Sequence, residues 1–124
     1  MTLTAEQIER VERVYLKCEQ LRPKYGSMRY VYFKDGKPQI YSTHQNDWCG
    51  SLPDDVAAAL IRDSLVTWLG LRGYSIGWWD VRGGEWQVIH PDTDEGPDGV
   101  YASPSFLDCL LSAAEATLNI NYKD

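Results

Sequence analysis

Two dipeptides, Asp35-Gly36 and Gly83-Gly84, constrain this chain more than any other feature. Each lies between stretches rich in aromatic and β-branched residues, where a two-residue turn with positive φ closes a β-hairpin. Such a turn also dictates which side chains share a face, because pairing steps outward from it residue by residue. From Asp35-Gly36 the pairs are Phe33–Pro38 and Val31–Ile40 on one face. Lys34–Lys37, Tyr32–Gln39, Tyr30–Tyr41 and Met28–Thr43 fall on the other. From Gly83-Gly84 the pairs Val81–Trp86 and Trp79–Val88 share a face, opposite Arg82–Glu85, Asp80–Gln87 and Trp78–Ile89. Both hairpins therefore have an aliphatic or indole side fit for a core and a second side that mixes aromatic with polar groups.

Helical signals surround the hairpins. Thr4 with Gln7 reads as a capping box, followed by the stripe Ile8, Val11, Tyr15, Cys18 and Leu21 at helical spacing. Glu6–Arg10 and Glu9–Arg13 are i,i+4 pairs on its wet side, and Pro23 and Gly26 stop it. Ser51 and Pro53 announce a second helix, with Val56, Leu60, Ile61, Ser64, Trp68 and Leu71 on its buried side and Gly73 at its end. Ser103-Pro104 opens a third, carrying Phe106, Leu107, Leu110, Leu111, Ala114 and Leu118. The segments 44–50 and 91–102 read as loops. The expected fold is α+β in the order αββαββα: a four-stranded, mostly antiparallel sheet from two hairpins, helices on its aliphatic face, and an N-terminal helix. A chain of 124 residues fits one such domain, 1–124, within which 28–72 and 74–119 repeat a ββα plan weakly.

The longest uninterrupted apolar run, 56–61, falls far short of the roughly 20 residues that span a bilayer. Three scattered cysteines, Cys18, Cys49 and Cys109, do not form a secreted disulfide framework, and a cytosolic setting with reduced thiols is expected. Net charge is −6 and uneven. Residues 1–37 hold eight basic and five acidic groups, whereas residues 83–124 set Lys123 alone against eight carboxylates. That acidic third would repel phosphates, so no direct nucleic-acid binding is expected, and no membrane contact either.

Catalytic and metal signals are weak. His44, Asp47 and Cys49 supply the groups of a thiol enzyme without a nucleophile motif around them. Asp92, Asp94, Glu95 and Asp98 match only the start of a calcium loop, with Gly96 at the fifth position and Ser103 at the twelfth. Zinc would need four ligands from Cys18, His44, Cys49, His90 and Cys109, which show no paired spacing. Neither a metal nor a cofactor is expected. What remains is surplus aromatic surface. Tyr30, Tyr32, Tyr41, Trp78 and Ile89 on the second sheet face, together with Trp48, are costly to leave in water. The first helix, a partner protein or second copy, or a small ligand could cover them. The expectation is a non-enzymatic protein-interaction module, a homodimer or a binder of another protein, using those six residues. One alternative is an acidic inhibitor or nucleic-acid mimic that meets a basic protein through Asp92, Asp94, Glu95 and Asp98. The other is a small-molecule binder or Cys/His enzyme.

Overall fold

The computed structural model describes residues 3–80, 83–91 and 99–120. The fold is α+β, with three α-helices and two three-stranded antiparallel sheets among the described residues. The chain divides into two compact units, Met1–Ser64 and Leu65–Asp124.

The first unit opens with α1 (Ala5–Lys17), whose capping box forms as expected: the Gln7 amide donates to Thr4 Oγ1 and the Thr4 amide to Gln7 Oε1, each at 3.0 Å. Glu9 and Arg13 pair at 2.6 Å on its wet side. Its buried residues are Arg10, Val11, Val14 and Tyr15, and extended backbone at Cys18 ends it before a 3-10 turn, Glu19–Leu21. The hairpin of β1 (Arg29–Lys34) and β2 (Lys37–Ser42) has the register imposed by Asp35-Gly36, from Lys34–Lys37 out to Tyr30–Tyr41. Positive φ at both turn residues, 54° and 74°, is what a tight hairpin of this kind requires. Val31 and Ile40 are buried with Leu52, and Leu60 packs against them.

Segment 44–50 is not the loop expected. After a turn at 43–46, with Asn46 at φ 55°, the chain returns as β3 (Asp47–Ser51) alongside β2. All five residues of β3 are exposed, so the inside–outside alternation that marks a strand in sequence is absent.

Helix α2 (Asp54–Leu71) begins after Pro53, with Asp54 and Asp55 at its positive end. Its buried positions are Ala57, Ala58, Ile61, Leu65, Trp68 and Leu69, so the stripe expected from the larger side chains is misphased at its ends. Val56 is exposed and Leu71 is 82% exposed.

In the second unit the expected register fails. Strands β4 (Ser75–Trp79) and β5 (Glu85–Ile89) pair with Trp79 opposite Glu85 rather than Val88, a slip of three residues that leaves five between the strands. An odd slip exchanges faces. Trp78 now stands opposite Trp86, on the side of Val88, while Ile89 faces Ser75 on the other side. The cause lies at Gly84: it is buried at φ 100°, and the Trp78 ring occupies the space a Cβ would need. Gly84 is thus a seat for an indole, and Gly83-Gly84 is not a two-residue turn between the strands. A short third strand, β6 (Val100–Ser103), pairs with β5 where a loop was expected. Each hairpin therefore recruits a strand of its own, and a single four-stranded sheet does not form.

Helix α3 (Phe106–Thr117) is capped by Ser105, whose Oγ accepts from the Asp108 amide at 3.3 Å, and packs on β5 and β6. Its apolar stripe is as expected at Leu107, Leu110, Leu111 and Ala114. The element order is α1, then three strands and a helix twice over.

Gly84→Ala is expected to destabilise by about 2–4 kcal/mol in urea unfolding, combining left-handed backbone strain with displacement of an indole. Gly83→Ala, at φ 89° in open space, should lose only about 1 kcal/mol. Equal losses would mean that Trp78 does not depend on that seat.

Candidate functional site

Strands β1, β2 and β3 bring Tyr32, Tyr41 and Trp48 into one cluster on the outer face of the first sheet. Tyr30 shares their side of β1. The rings meet edge to face: Tyr41–Trp48 centroids are 5.1 Å apart, Tyr32–Tyr41 5.6 Å and Tyr32–Trp48 6.1 Å. Such contacts contribute roughly 0.5–1.5 kcal/mol each beyond burial. The Tyr41 hydroxyl donates to Asn46 Oδ1, tying the cluster to the turn before β3.

A β-bulge places Trp48 there. Ile40 pairs with Gly50 and Tyr41 with Trp48, so Cys49 is the extra residue on β3. In continuous register Trp48 would stand opposite Ser42, on the side of buried Ile40. The bulge moves it to the side of Tyr41, and re-aiming a side chain is what such an insertion does.

Part of this face is covered from within the unit. Arg22, just past the 3-10 turn, lays its guanidinium 3.7 Å from the Tyr32 ring centre and 4.9 Å from that of Tyr15. The same group donates to the Val31 carbonyl at 3.5 Å and lies 3.6 Å from Glu12 Oε1. Burial pushes the Glu12 carboxyl up from its ordinary range, and the Arg22 charge opposes the shift. Burial also raises the Tyr15 phenol. Beyond Arg22, residues 23–25 line the free edge of β1: the Val31 amide donates to the Pro23 carbonyl at 2.9 Å and the Tyr25 amide to the Arg29 carbonyl at 2.8 Å. A groove of about 370 Å³ remains, lined by Glu19, Gln20, Arg22, Lys24, Tyr30, Tyr32 and Thr43. Lys34 Nζ stands 5.3 Å from the Trp48 ring centre.

The other two candidates for this surface belong to the second unit. Trp78 is 51% exposed and edge-on to Trp86 at 5.3 Å, and Trp86 stacks on Phe106 at 4.3 Å. It therefore sits at the rim of that unit's core side, and Ile89 lies on the opposite face. The alternation-based grouping of Trp78 with Ile89 fails for the reason given above. Asp92, Asp94, Glu95 and Asp98 lie outside the described residues.

Asp47 uses its carboxylate to accept from the Trp48 amide at 2.8 Å, and Cys49 Sγ lies 4.0 Å from the Asp47 carbonyl oxygen, an acceptor rather than a base. His44 lines a separate groove with Ser27, Met28, Arg29, Ser42 and Gln45. Cys109 is buried in α3, its Sγ donating to the Tyr101 carbonyl at 2.9 Å, and burial pushes its pKa up to about 11. Among the described residues no group of three or more His, Cys, Asp or Glu side chains is placed to hold a metal ion. No helix among them is long and apolar enough to cross a membrane. No protein-family model matches the chain, and no curated protein or solved structure matches it either.

Sequence reasoning put Tyr30, Tyr32 and Tyr41 on one face, named Trp48 as a further contact residue on an expected loop, and missed Arg22. The one signal for it was an arginine directly before Pro23, at the end of an amphipathic helix.

Arg22→Ala is expected to lower stability by about 2 kcal/mol in urea unfolding, through two cation–π contacts and a carboxylate left without its cation. Arg22→Lys should recover less than half, because an ammonium cannot lie flat between rings. A loss within about 0.5 kcal/mol of the native protein would show that the stack contributes nothing. Thiol labelling gives a separate check. Near neutral pH Cys49 should react in the folded protein, and Cys109 only on unfolding. Because the Cys109 pKa is raised, its stabilising contribution is complete below its ordinary value of 9.0 and declines as pH rises towards about 11.

Proposed function

We propose that this chain is a non-enzymatic protein-interaction module that meets another protein, or a second copy of itself, through the outer face of β1–β3. A cytosolic setting suits its three free thiols. The observation that carries the reading is Trp48, 36% exposed on an edge strand and turned away from the core by a bulge. With about a third of its surface in water, the indole forgoes burial worth on the order of 0.5–1 kcal/mol, which association recovers. Tyr32 and Tyr41 brace it edge to face, so little side-chain freedom is left to lose on binding. Tyrosine and tryptophan combine apolar area with a hydrogen-bonding tip, the composition of interface hot spots.

The test uses the full chain and the Tyr41→Ala/Trp48→Ala double variant. The native chain should sediment as a dimer at micromolar concentration, or retain a partner protein saturably when immobilised. The double variant should weaken that association by about tenfold or more, with its circular dichroism unchanged. Association that is indifferent to both substitutions, or none at all, would remove this face as the contact surface.

A further inference from the structure

We infer that the partner of the outer face is an acidic polypeptide segment rather than a second copy of this chain. Its carboxylates would meet Lys24, Lys34 and Lys37, and its apolar side chains the Tyr32–Tyr41–Trp48 cluster. The inference rests on the interaction reading above and adds the chemistry of the partner.

The charge of this face runs against that of the protein. The chain carries −6 overall, yet the outward positions of β1 are Tyr30, Tyr32 and Lys34, and those of β2 are Lys37, Gln39 and Tyr41. None is a carboxylate. Lys34 and Lys37 stand directly opposite each other, a pairing that repels. Neither they nor Lys24 has a carboxylate within ion-pair distance among the described residues. Lys24 lines the groove beside Tyr30, Tyr32 and Thr43, where Glu19 is the one carboxylate. Arg22 is already engaged with Glu12 and two rings. Three cations without a carboxylate partner among the described residues, one of them (Lys34) over the Trp48 ring, therefore border an apolar centre, and an anion arriving there would relieve the Lys34–Lys37 repulsion.

The same charges discriminate between occupants. A two-fold dimer through this face would set a cationic patch against an equally cationic one, with no carboxylate at the outward positions of β1 and β2 to pair with the lysines, and like-charge contact of that kind is costly. Single-stranded nucleic acid binds by stacking bases on open ring faces. Here Arg22 lies over Tyr32, Lys34 over Trp48, and the rings otherwise meet one another edge to face. An extended peptide needs no open ring face. It can lay apolar side chains against ring edges and carboxylates against the lysines.

Fluorescence anisotropy tests this with the full chain and a labelled peptide that alternates glutamate with valine. The comparison probes are the same peptide with glutamine or lysine for glutamate, and a labelled oligothymidylate. The glutamate peptide should bind about tenfold more tightly than the glutamine peptide, and less tightly as salt is raised. Lys34→Gln and Lys37→Gln, both exposed at the strand ends that flank the first turn, should each weaken it up to about fivefold without loss of fold. Equal binding of the glutamine or lysine peptide, or lysine variants that bind unchanged, would overturn the inference. Tighter binding of oligothymidylate would assign the face to nucleic acid instead. A Trp48-dependent dimer that ignores the glutamate peptide would leave the interaction reading standing and overturn only the acidic partner. Loss of both would overturn both.

Discussion

Strand side chains alternate between the two faces of a sheet, so any shift of register by an odd number of residues exchanges inside for outside. Most of what distinguishes this molecule follows from where that count is kept and where it is broken. In the first hairpin Asp35-Gly36 keeps it, and Val31 and Ile40 go in while Tyr32 and Tyr41 go out. On the next strand of the same sheet a bulge at Cys49 breaks it, and Trp48 joins the tyrosines instead of the core. In the second hairpin a three-residue slip turns Trp78 towards the side of Val88 and leaves Trp79 on the other. An aromatic-rich chain thus ends with one braced ring cluster on its first sheet and a different indole arrangement on its second.

The first cluster is held at the edge by a cation. Arg22 lies between Tyr15 of α1 and Tyr32 of β1, with Glu12 and the Val31 carbonyl completing its contacts. A guanidinium suits this place because it is planar, is weakly hydrated and stays charged across the accessible pH range. It ties the end of the first helix to the sheet without covering Trp48. The face is left half dressed: protected near Tyr32, open towards β3, and bordered by lysines that nothing in the described chain neutralises. The core of Val31, Ile40 and Leu52 includes none of these lysines, and Lys34 rests over the Trp48 ring.

In the second unit the polar accounting is internal. The Cys109 thiol donates to a strand carbonyl under the sheet, the Tyr74 hydroxyl bonds with Thr117, and Tyr74 packs edge-on against His90. Trp86 stacks on Phe106 and supports Trp78 over Gly84. These contacts all lie within the second unit.

Features that act over a few residues were legible in the chain itself. These are the Thr4–Gln7 capping box, the first hairpin with its register, the Ser105 start of α3 read within two residues, and the α+β class. Each depends on local hydrogen bonds or on one turn, so the residues that decide it are neighbours. The shared face of Tyr30, Tyr32 and Tyr41 was legible too, since the first turn settles that parity. Everything else waited for distant parts to meet. Strands β3 and β6 exist because β2 and β5 offer open edges, and neither segment alternates strongly enough to announce itself. The second hairpin slipped because a buried glycine and an indole fitted one another better than the tight turn its sequence favours. Arg22 found its place between two rings because a cation takes whatever aromatic faces the assembled helix and strand leave within reach, and those faces come together only once both have packed.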